Sequence, residues 1–123
     1  MLLPLALVAA LQLPPAVDSL AGTWTITMEA MGNTADETCT LAQRGSVIAG
    51  TCSGTGGQTA AVTGEVRNGK FTFKHANDRD GQQMTLVFTG TVGSATALKG
   101  AVEVQPMGIT GSFTALPALP AKP

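Results

Sequence analysis

The chain has one histidine, His75, and its imidazole is the side chain whose ordinary pKa lies nearest neutrality. It directly precedes Ala76-Asn77-Asp78-Arg79-Asp80, the most charged stretch of the sequence. Three readings of His75 stand side by side: a hydrogen-bonding group for a ligand, an acid/base group partnered by Glu37, and a strand-end histidine half exposed to water. The second would suit a cofactor-free isomerase, cyclase or lyase, with His75 moving the proton and Glu37 orienting the ring. The other chemical candidates are weaker. One histidine cannot make a structural zinc site, and the two cysteines, Cys39 and Cys52, are withdrawn as ligands if they form a disulfide. Asp78-Arg79-Asp80-Gly81 lacks the spaced acidic ligands of a calcium loop and reads as a solvated turn. Serine and threonine are plentiful, yet none has an acid and base in a nucleophile's sequence context. No metal and no other cofactor is expected.

Those side chains matter only through the elements that aim them. One pattern recurs: an apolar residue, any residue, Gly, any residue, an apolar residue. It occurs at Leu20-Ala21-Gly22-Thr23-Trp24, Ile48-Ala49-Gly50-Thr51-Cys52, Val62-Thr63-Gly64-Glu65-Val66 and Phe88-Thr89-Gly90-Thr91-Val92. Leu98-Lys99-Gly100-Ala101-Val102 and Ile109-Thr110-Gly111-Ser112-Phe113 repeat it. In a strand the two apolar residues and the Gly share one face, while Thr, Lys and Glu take the other. Inward glycines in mid-strand suit a sheet that bends sharply or lies close to another backbone. The fold expected is all-β, an antiparallel up-and-down barrel of about eight short strands; a two-sheet sandwich is the alternative. The strand reading is 20–28, 35–44, 47–53, 60–67, 70–76, 83–92, 96–104 and 108–115.

Turn chemistry sets the register. Asn68-Gly69 carries the type I′ hairpin signal and pairs Val66 with Phe71, Gly64 with Phe73 and Val62 with His75. Gly45-Ser46 fits a two-residue type II′ turn, pairing Arg44 with Val47 and Leu41 with Gly50. Counting outward places Cys39 opposite Cys52 on a non-hydrogen-bonded rung, so a disulfide is expected there. Short connections at 45–46, 68–69 and 93–95 define one end of the barrel, which Trp24, Phe71 and Phe113 would plug. Longer connections at 29–34, 54–59 and 77–82, with the 105–107 link, define a loop-rich mouth. Inward parity near that mouth selects Met28, Glu37, Cys39, Cys52, Val62, His75, Met84, Val104 and Ile109, with Met107 close by. Met28, Val62, His75, Met84, Val104, Met107 and Ile109 are the expected ligand-binding set. Their chemistry suits a small, mostly apolar molecule, since methionines adapt to irregular shapes; the same methionines would also serve as core filler.

Composition narrows the partners. Of 123 residues, 12% are charged and the formal net charge is −1, so there is no basic surface for nucleic acid. One Trp, four Phe and no Tyr leave no stacking platform for single strands. Leu2 to Leu13 form an apolar run too short to span a bilayer and similar to the core of a secretory signal, with small residues following at Val8-Ala9-Ala10 and Val17-Asp18-Ser19. The expected organisation is a signal or N-terminal arm over 1–19, a barrel over 20–115 and a Pro-rich tail over 116–123, in a secreted or periplasmic protein.

Gly22-Thr23-Trp24, opening the first strand, resembles the Gly-x-Trp start of lipocalins and avidins, the calycin group of barrels. The resemblance extends in pattern over residues 20 to 115 and implies that Trp24 closes the barrel base. The later Thr-Asp-Tyr-type lipocalin motif is absent, as are the several tryptophans with which avidins enclose biotin, so tight biotin binding is not implied. The start, the export signal and the disulfide also look like the periplasmic calycin inhibitors of bacterial metalloproteases. That likeness implies a protein partner met through loops or through an arm from Leu11 to Ser19. Three functions are thus expected in order: ligand binding, catalysis through His75, and inhibition or envelope interaction.

Overall fold

The computed structural model describes residues 19–54, 57–79, 81–92 and 97–118. Eight antiparallel strands run in chain order: β1 (Gly22–Ala30), β2 (Asn33–Arg44), β3 (Val47–Gly54), β4 (Thr59–Arg67), β5 (Lys70–Arg79), β6 (Gln82–Thr91), β7 (Leu98–Gln105) and β8 (Ile109–Pro117). Each pairs with the next, and β8 returns to β1 to close the barrel, with Ile26 opposite Ala115 and Met28 opposite Phe113. The architecture is compatible with a calycin-like fold.

Local chemistry accounts for the hairpins. Asn68 and Gly69 both have positive φ, 54° and 76°, as a type I′ turn demands, and Val62, Gly64 and Val66 face His75, Phe73 and Phe71 across the rungs. Gly45 alone is positive at the β2–β3 turn, the type II′ pattern, and Cys39 lies opposite Cys52. The two are joined in a disulfide with Cα atoms 3.9 Å apart, on one of the closely spaced rungs.

The inward glycines have a specific task. A Cβ on Gly50, Gly64, Gly100 or Gly111 would overlap a carbonyl oxygen of the neighbouring strand, those of Thr40, Thr72, Thr89 and Glu29 respectively. The sheet coils so tightly at these rungs that one backbone lies over the next residue's inner face. This close approach lets eight short strands close around a narrow core.

That core fills the lower lumen. Leu20 caps the base: its N–H donates to Gln43 Oε1 at 2.7 Å, and its carbonyl accepts from Trp24 Nε1 at 2.9 Å. Above lie Leu41, Ile48, Phe71 and Leu98, all buried. Phe71, Phe73, Phe88 and His75 then form a stacked column with centroid spacings of 5.9, 4.9 and 5.7 Å, and Phe113 meets Phe71 and Phe88 edge-on. Phe113 therefore belongs to mid-lumen rather than to the basal plug expected of it.

Two expected loops are instead strand. β1 and β2 run on to a two-residue turn at Met31-Gly32, both with positive φ, and β5 and β6 are joined through residues 80–81. Asp78 and Arg79 therefore sit in β5 rather than in a solvated turn. The expected connections at 29–34 and 77–82 are corrected accordingly, whereas the breaks between β3 and β4 and between β7 and β8 fall where the sequence places them. At the C-terminal end β8 runs through Leu116 and Pro117, two residues assigned to the tail. The N-terminal segment 1–18 and the remaining tail 119–123 lie outside the described residues.

Candidate functional site

Parity along each strand delivers the site. Glu37 on β2 and His75 on β5 both face the lumen from opposite walls, 38 positions apart in sequence, and meet near the level of the disulfide. His75 Nε2 lies 2.8 Å from Glu37 Oε2, and both side chains are more than nine-tenths buried. The other ring nitrogen, Nδ1, lies 2.9 Å from the Ala76 carbonyl oxygen. Both nitrogens thus face acceptors, and an imidazolium, which donates from both, satisfies the two contacts at once.

Burial is the largest influence on His75 and pulls its pKa down. The hydrogen bond and charge of Glu37, with the Ala76 carbonyl, outweigh it and leave the pKa above the ordinary 6.5. Glu37 Oε2 also lies 3.6 Å from Cys39 Sγ, a contact without a proton because the sulfur is oxidised. Among the described residues no buried side-chain nitrogen or oxygen lacks a partner. Glu37 Oε1 has no protein partner and so keeps some contact with solvent, and Glu37 lines the larger space above the disulfide. Of the pair, Glu37 rather than His75 has an atom free to meet a ligand.

The mouth has two halves. One is a cavity of about 690 Å³ lined by Met28, Met84, Leu86, Val104, Met107 and Ile109, among others. The second, about 630 Å³, is also mostly apolar but holds the ionisable groups: Glu37, His75, Asp36 and Asp78 line it with Asn77 and Cys52, among others. Met28, Ala35, Asn77 and Leu86 line both and form the divide between them. Each volume lies in the range that holds a small organic molecule.

No family model, curated protein or solved structure matches the chain. The site is therefore read from its own residues.

Six of the seven residues expected to bind ligand line one half or the other. Val62 does not. It is buried on His75's rung, and Ala60, one inward position nearer the rim, lines the cavity in its place. The sequence reading also passed over Met31, Asn77 and Leu86. Met31, 78% exposed at the tight β1–β2 turn, falls within the longer connection expected at 29–34. Asn77 and Leu86 obey the same inward parity as His75 and Met84, a signal available from the strands once β5 is extended. No helix among the described residues is long and apolar enough to cross a membrane. The disulfide fits folding in an oxidising compartment.

Proposed function

We propose that this protein is a binding barrel that takes a small, mostly apolar ligand at its mouth, in a secreted or periplasmic setting. The observation that carries the reading is the 690 Å³ cavity with its lining of Met28, Met84, Val104 and Ile109 and two rim methionines, Met31 and Met107. Met31 and Met107 are exposed, on the turns that flank the closing β8–β1 seam. Unbranched thioethers at a rim adapt to differently shaped guests. Below the mouth the lumen is packed with core side chains, so the ligand sits across the upper barrel and does not enter its depth.

The test is a thermal-shift screen with a lipophilic small-molecule panel, followed by displacement of an environment-sensitive apolar dye. Hits should raise the melting temperature, and Ile109→Asp and Met84→Asp should abolish the shift while leaving the β-sheet spectrum intact. A panel that leaves melting unchanged removes the proposal.

A second reading, acid–base catalysis of the isomerase, cyclase or lyase kind, is favoured by one observation: a buried carboxylate–imidazole pair that lines the 630 Å³ cavity and leaves Glu37 Oε1 without a protein partner. In that reading Glu37 meets the substrate and His75 holds its charge and orientation, the reverse of the roles expected from sequence. Glu37→Gln should then abolish turnover. Full turnover in that variant ends the catalytic reading.

A further inference from the structure

Four ligand-type atoms converge where Glu37, Cys52 and His75 line the 630 Å³ cavity. A carboxylate oxygen of Glu37, Sγ of Cys52 and a ring nitrogen of His75 lie within 4.8 Å of one another, and Cys39 Sγ is 3.6 Å from Glu37 Oε2. We propose that the Cys39–Cys52 disulfide is the closed form of a metal site: once reduced, the two thiolates, His75 Nε2 and a Glu37 oxygen hold one Zn²⁺. This stands independently of whether the mouth takes an apolar ligand.

The geometry supports it in three ways. Tetrahedral zinc with its usual bond lengths separates donor atoms by about 3.3 to 3.8 Å. The His75–Glu37 contact of 2.8 Å needs to open by about half an ångström to reach that spacing. Second, the orienting hydrogen bond of a metal-bound histidine is already present. His75 Nδ1–H donates to the Ala76 carbonyl in the neutral tautomer, which turns the Nε2 lone pair toward the sulfurs and Glu37. Third, the donors sit on three strands of a closed barrel and not on a loop. Cys39 and Cys52 share a rung of β2 and β3, with His75 reaching them from β5. The protein has no other cysteine and no other histidine, so no second set of soft donors competes.

The redox step balances with a thiol reductant. Two RSH become RSSR, the Cys39–Cys52 bond breaks, and each sulfur gains one proton. Zn²⁺ then displaces those two protons together with the one held between His75 Nε2 and Glu37 Oε2, while Nδ1–H stays on the Ala76 carbonyl. Cys52, Glu37 and His75 all line the 630 Å³ cavity, which provides the route in. In the oxidised protein the sulfurs carry no charge, and only the carboxylate and imidazole remain as donors.

The experiment uses the full chain, oxidised or reduced anaerobically with a phosphine, and titrates each with Co²⁺ and then Zn²⁺. The reduced protein should bind one Co²⁺ with the visible absorption of a tetrahedral thiolate site, bleached by Zn²⁺; the oxidised protein should stay colourless. His75→Ala and Glu37→Gln should each weaken Zn²⁺ binding by at least about 10-fold in chelator competition, the least that loss of even an outer-shell partner costs. A reduced, folded protein that stays colourless overturns the proposal. So does equal affinity in both variants, or equal affinity in urea, either of which means that the thiols alone suffice. If reduction unfolds the chain, recovery of the β-sheet spectrum on adding Zn²⁺ supports the site, and failure to recover overturns it.

Discussion

Replacing Glu37 with Gln in the oxidised, metal-free protein separates the two influences on His75. In the wild type the folded pKa of His75 is above 6.5 because Glu37 outweighs burial. The native state therefore holds its proton longer than the unfolded chain. That stabilisation is complete below pH 6.5 and is lost as pH rises through the folded value. In Glu37→Gln the partner charge is gone, and burial, the largest influence, outweighs the Ala76 carbonyl. The folded pKa then falls below 6.5, and the sign reverses: stability is lost as pH falls below 6.5. Each slope is bounded by about 1.4 kcal/mol per pH unit for one proton. The variant should also lose about 2 kcal/mol at pH 6, the contribution of a charge-assisted hydrogen bond between groups too buried for solvent to screen. In a barrel of this size that is roughly 8–16 °C of melting temperature. Urea unfolding from pH 5 to 8.5 reads all of this, and because His75 is the only histidine no other imidazole confuses the slope. Parallel slopes in the two proteins, or wild-type stability that rises between pH 6.5 and 8, would refute the reasoning.

Three further tests address the frame. Gly100→Ala places a methyl against the Thr89 carbonyl and should cost about 1–3 kcal/mol by urea midpoint, whereas Ala101→Gly on the outer face should cost less than about 1 kcal/mol. Cys39→Ala with Cys52→Ala opens a loop with a sequence separation of 13 and should lower stability by about 3 kcal/mol in chemical denaturation. Trp24→Phe leaves the buried Leu20 carbonyl without its donor and should cost about 1–3 kcal/mol, followed by circular dichroism since the only Trp is lost.

The barrel was legible because its signals are local. Asn68-Gly69 and Gly45-Ser46 set two hairpin registers outright, and the disulfide rung followed by counting from Gly45. The six apolar-x-Gly-x-apolar repeats told which face turns inward. Strand ends near the mouth were harder, for a physical reason. There the inward residues are Asn33, Asn77 and Gln82, polar where the strand ends reach solvent at the rim, so the alternation that marks a strand fades. Met31 adds to this, since a methionine at φ 53° announces no turn. Asp80-Gly81 did carry the Asp-Gly hairpin signal, but its acidic neighbours led to a loop reading.

The meeting of Glu37 with His75 needed something that no hairpin register supplies. Parity put both residues inside, but β2 and β5 are separated by two strands, and their relative height depends on how far the sheet shears as it closes. The same shear decides what can be done at the site. It brings His75 level with the disulfide and stacks it on Phe88, so both its nitrogens are used within the wall and one oxygen of Glu37 is left without a protein partner. A barrel sheared by one more rung would pair Glu37 with a neighbour of different chemistry, Phe73 or Asn77. The chemistry of the mouth is thus a consequence of closure, and the glycines that permit closure are as much part of the site as the residues that line it.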